Sequence, residues 1–82
     1  MKKEKRTPDY IRLRQVLVQS RTNAGMAQAD LAAILGKPQS YVSKIEAGER
    51  GIDVVEYIAY VRALNADPIR VLRLVLGPNR VS

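Results

Sequence analysis

Side chains able to do covalent or acid–base chemistry are scarce in this chain. Its 82 residues include no cysteine and no histidine, which removes thiolate nucleophiles, imidazole bases and disulfide staples. Catalysis would have to rest on carboxylates, lysines or tyrosines. Yet Asp9, Asp30, Glu46, Asp53 and Glu56 sit mostly where helices are expected to start, and there a carboxylate caps amides and meets the positive end of the helix dipole. Gly25, Gly36, Gly48, Gly51 and Gly77 are dispersed as stops and turns instead of forming a phosphate-cradling loop. No enzyme activity, cofactor, metal or small-molecule ligand is therefore expected.

The chemistry that remains is charge. Fourteen Lys and Arg against eight Asp and Glu leave a net +6, a balance suited to duplex DNA, RNA or an anionic membrane surface. A basic surface that only confers solubility fits the same number. No apolar run approaches the roughly 20 residues that span a bilayer, and the N-terminus has no signal-peptide core. A reducing, cytoplasmic location fits a chain without cysteine.

The elements that must organise this charge centre on residues 28–47, QADLAAILGKPQSYVSKIEA. Leu31, Ala32 and Leu35 recur at helical spacing before Gly36, and Val42 and Ile45 recur after Pro38. Two helices this short bury both faces only by crossing steeply over one small core. That is a helix-turn-helix, whose second helix is left free to enter a DNA major groove.

The rest of the chain supports that unit: a flexible basic arm over residues 1–6, one domain over residues 7–77 and a tail over residues 78–82. Thr7 and Pro8 start a first helix that turns Leu13, Val16, Leu17 and Ser20 inward and ends at Gly25. A second helix spans Gln28–Leu35, with Ala27 unable to serve as a cap acceptor. Pro38 is expected at the first position of a third helix, which runs to Ala47 and stops at Gly48. Asp53 and Glu56 form a capping-box pair opening a fourth helix, with Val54, Tyr57, Ile58, Val61 and Leu64 facing inward and Asn65 ending it. The fifth helix, Pro68 to Leu76, has apolar residues over about 220° of its circumference. Either it is deeply wrapped, or Val71, Leu74 and Val75 form a homodimer face, which is the preferred reading. No stretch alternates as a strand would, so the fold class is all-α with five helices.

Arg21 to Glu49 resembles the lambdoid phage repressor and Cro family, the XRE-type helix-turn-helix proteins. The resemblance is carried by Arg21 four residues before Gly25, Gln28, the Leu31-Ala32 pair, Gly36, the Gln39-Ser40 pair, Val42, Ile45, and Glu46 two before Gly48. Weaker similarity continues through Arg50, Leu64 and the last helix. It implies a compact lambda-repressor-like domain and a salt bridge between Arg21 and Glu46. It also implies a homodimer that binds double-stranded DNA at a palindromic operator and represses transcription. Base contacts fall to Gln39, which matches adenine N6/N7, to Ser40, and to Lys44, which can reach guanine O6/N7. Phosphate contacts fall to Gln28, Lys37, Tyr41, Ser43 and Arg50. The chain departs from the family at Ala27, Lys37 and Pro38, where hydroxyl or apolar residues are usual. The alternative within the resemblance is an antitoxin or restriction–modification controller that also binds a toxin or another protein.

Overall fold

Local signals set the helix boundaries. In the computed structural model residues 7–77 are described, so the expected arm and tail lie outside the described residues. The elements are α1 (Pro8–Asn23), α2 (Gln28–Leu35), α3 (Gln39–Ala47), α4 (Val54–Ala63) and α5 (Pro68–Leu76). There is no strand among the described residues, and the all-α class read from the sequence holds. No helix among them is long and apolar enough to cross a membrane.

Each start has its chemical cause. Thr7 Oγ1 accepts from the Tyr10 amide at 3.2 Å, Asp67 Oδ1 from the Ile69 amide at 2.9 Å, and Asp53 Oδ1 from the Glu56 amide at 2.7 Å. Glu56 returns the last bond by accepting from the Asp53 amide at 3.0 Å, completing a capping box. At α2 only half of such a box exists. Ala27 has no acceptor to offer, but Asp30 Oδ2 accepts from the Ala27 amide at 2.9 Å. The α3 start differs from expectation. Pro38 is the cap residue, with ψ 156° and no side-chain bond, and the helix begins at Gln39. Proline fixes φ but leaves ψ open, so it satisfies the cap position as readily as the first helical one.

Gly36 and Gly48 close α2 and α3 at φ 69° and 82°, a region where a Cβ is strained. Both turns return amides to the preceding helix, Lys37 to the Ala32 carbonyl and Glu49 to the Lys44 carbonyl, each at 2.9 Å. These are Schellman-type ends. The first of them takes the chain from α2 to α3 within three residues.

The core is where α2 and α3 meet α1 and α4, with α5 folded back on α1 and α4. Leu17, Leu31, Val42, Ile45, Tyr60 and Val61 are completely enclosed. Three expectations about faces are corrected. Val54, at the first position of α4, is 73% exposed. Tyr60, not assigned inward from the sequence, is buried with Tyr57, Val61 and Leu64. Val71 and Val75, assigned to a dimer face, are core residues at 4% and 6% exposure. The face of α5 that remains open carries Ile69, Leu72 and Leu76, with Leu74 exposed on another side.

Candidate nucleic-acid interface

The inner face of α3 is fixed by packing and by one polar cluster. Val42 and Ile45 supply the packing. Glu46, one position on, accepts from Arg21 Nε at 2.8 Å and Arg21 Nη2 at 3.0 Å. It also accepts from Gln28 Nε2 at 2.9 Å and from the Tyr60 hydroxyl. Arg21 spends a further donor on the Met26 carbonyl at 2.7 Å. The Arg21 and Glu46 side chains are 12% and 5% exposed, so the pair is largely withdrawn from water. Burial pushes the Glu46 carboxyl up, but the bonds from Arg21, Tyr60 and Gln28 outweigh it and hold it below its ordinary value. Burial and the facing carboxylate push the Tyr60 hydroxyl upward, so it stays a donor. Four helices thus converge on one carboxylate at the end of α3.

The outer face is the opposite in character. Gln39, Ser40 and Lys44 are exposed and fall within about 140° of the helix circumference. Their side chains make no hydrogen bond or ion pair among the described residues. Ala47 shares this side and is also exposed, and its small side chain lets another surface approach the backbone. Ser43 is half-buried and donates to the Ser40 carbonyl at 3.2 Å. No side chain caps the start of α3, so the partial positive charge of its first amides is not met by a cap.

The five residues assigned to phosphates are not equivalent. Lys37 and Arg50 stand on either side of α3 in sequence, and both contact the ring of Tyr41, at 5.2 and 4.7 Å from its centroid. They therefore form one basic cluster. Arg50 is held in a two-point ion pair with Glu56, at 3.0 and 2.8 Å. The Arg50 guanidinium and the Asp53 amide lower the Glu56 carboxyl from an ordinary value near 4.5 to about 2. Gln28 is set apart, because its amide nitrogen is engaged by Glu46. Glu56 and Tyr60, which orient these groups, were not assigned from the sequence beyond the capping role of Glu56. The three-residue Asp53–Glu56 spacing marked the cap, but no local signal marked Arg50 as the second partner.

Arg14 occupies the far end of α3. A methyl group built on Gly48 would stand 2.8 Å from its guanidinium carbon, which places the cation against the backbone where α3 ends. Its buried Nε has no hydrogen-bond partner among the described residues.

Residues 17–70 match a family model described as a helix-turn-helix. Among solved structures, an XRE-family like protein from Pseudomonas syringae pv. tomato str. DC3000 is similar, with 40% sequence identity and a TM-score of 0.80. That match covers 85% of this chain and 88% of the other. No curated protein matches the chain.

Proposed function

The chain belongs to the XRE-type helix-turn-helix family of DNA-binding regulators, and from that premise we propose that it is a homodimeric repressor of transcription. In this reading residues 7–77 are the operative domain, working in the cytoplasm. Each protomer lays α3 in a major groove, and two half-sites about one helical turn apart make a palindromic operator. Occlusion of polymerase follows from occupancy.

One observation carries the reading. The inner side of α3 is closed by Val42, Ile45 and the Glu46 cluster, while Gln39, Ser40 and Lys44 stand uncommitted on the other side. A helix pinned on one face and chemically idle on the other is suited to reading base edges. Gln39 and Lys44 supply donors and an acceptor to match purine edges, and Lys37, Tyr41 and Arg50 supply the phosphate side.

Dimerisation is supported by an apolar groove of about 450 Å³ lined by Leu13, Ile52, Tyr57 and Ile58, with Val54, Ile69 and Leu72 at its exposed rim. The same groove supports the second reading, an antitoxin or controller whose protein partner covers it. Selection from random duplex DNA tests the regulator reading. The wild type should enrich a palindromic site, and Gln39→Ala should lose that preference. Failure of the wild type to enrich any motif overturns specific regulation.

A further inference from the structure

Arg50 has five N–H donors, and the structure fixes three of them. Nη1 donates to the Gly51 carbonyl at 2.8 Å and to Glu56 Oε1 at 3.0 Å, and Nη2 donates to Glu56 Oε2 at 2.8 Å. The two that remain, on Nε and on the other side of Nη2, are parallel and coplanar. They have no acceptor among the described residues. The Arg50 side chain is 40% exposed and its unpartnered Nε is not buried, so this edge can be reached from solvent. The same guanidinium stands over the ring of Tyr41.

We propose that Glu56 is a positioning residue for Arg50, turning the free Nε–Nη2 edge outward as a two-pronged donor for one DNA phosphate. The inference rests on the DNA-binding reading above and adds to it a role for an acidic side chain. A carboxylate beside a phosphate site would ordinarily repel the ligand. Here it occupies the end of the guanidinium that faces the protein and leaves the side edge for the phosphate. A bidentate contact of that kind is stronger and more directional than a point charge. Glu56 is itself anchored by the Asp53 amide and by the start of α4. The Tyr41 ring is a further contact of the Arg50 guanidinium. The same ring holds Lys37, so the second cation stands no further from Arg50 than the two ring distances combined.

The position of Glu56 in the cap makes the experiment clean. Glutamine serves in a capping box as well as glutamate, so Glu56→Gln should fold. Its carbonyl oxygen is needed by the Asp53 amide, however, and its NH2 then faces the second guanidinium nitrogen, donor against donor. Removing a negative charge raises the net charge by one, and charge alone therefore demands tighter DNA binding. Positioning demands the reverse. Affinity for a duplex carrying the selected site is measured between about 50 and 200 mM salt for wild type, Glu56→Gln and Arg50→Lys, with melting curves for each. Glu56→Gln should bind about tenfold more weakly per engaged protomer. Its plot of log affinity against log salt should be shallower by about 0.9 for each phosphate that the variant no longer neutralises. Arg50→Lys, which keeps the charge and gives up the fork, should weaken binding in the same direction. Wild-type binding with Glu56→Gln equal or tighter overturns the positioning role alone. A wild type that binds no duplex overturns the DNA reading and this inference with it.

Discussion

Glu46→Gln is the sharpest perturbation of this molecule, because the geometry leaves the new amide no acceptable orientation. Glu46 Oε2 receives Arg21 Nε and the Tyr60 hydroxyl, and Oε1 receives Arg21 Nη2 and Gln28 Nε2. Each oxygen faces an Arg21 nitrogen, so either way round the glutamine NH2 points at an N–H of Arg21. The substitution therefore removes two acceptor sites and leaves the guanidinium without its counter-charge. Breaking one partner of a buried pair costs about 3–5 kcal/mol. The residual 12% exposure of Arg21 and its bond to the Met26 carbonyl place this case near 3 kcal/mol. A chain of this length is stabilised by about 4–12 kcal/mol in all. At roughly 4–8 °C per kcal/mol, the melting temperature should fall by about 12–24 °C, read by circular dichroism at fixed protein concentration and neutral pH. A melting temperature within about 4 °C of wild type would refute the convergence of these helices on Glu46.

Three further outcomes follow from named contacts. Gly36→Ala and Gly48→Ala both strain a positive φ and should each cost about 1 kcal/mol. Gly48→Ala should cost more by chemical denaturation, because its methyl group also meets Arg14 whereas that at Gly36 meets nothing within 4 Å. On acidification, the Glu56 carboxyl has its folded value depressed to about 2 from near 4.5. Its contribution is complete above pH 4.5 and is lost as the pH falls toward 2, so Glu56→Gln should flatten stability against pH across that window. In the dimer reading, Ile69→Glu changes a residue that is 60% exposed. It should leave the melting temperature of the isolated domain nearly unchanged and convert a dimer to a monomer in sedimentation. A wild type that is already monomeric, with and without operator-length DNA, removes the dimer.

The helix boundaries were legible because their signals are local. Thr7-Pro8, Asp53 with Glu56, Asp67-Pro68, Gly36, Gly48 and Asn65 each act through backbone atoms within four residues, so their chemistry can be read without knowing the fold. The failures lie where a choice depends on a distant neighbour. On α5, apolar residues cover more of the helix than one core needs. Periodicity marks the helix as buried somewhere but does not say which side α1 and α4 occupy. They took Val71 and Val75 and left Ile69 and Leu72. Tyr60 was passed over for the same reason. A tyrosine is equally at home on a surface, and its inward place rests on distant partners, the core residues around its ring and the carboxylate 14 residues earlier.

The two glutamines of the helix-turn-helix show the same limit within the site. Gln28 and Gln39 have the same side chain, each on the first turn of a helix, and each was given a DNA contact. What separates them is Glu46, which engages the Gln28 amide across 18 residues of sequence and makes no bond to Gln39. Arg21 and Arg50 divide in a parallel way. Glu46 engages Arg21 inside the protein, while Glu56 engages only one end of the Arg50 guanidinium and leaves an edge open. In both comparisons an acidic residue decides whether a polar side chain is structural or available. Which polar side chains stand free on this surface therefore depends on its carboxylates as much as on its cations, although the net charge of +6 draws attention to the cations first.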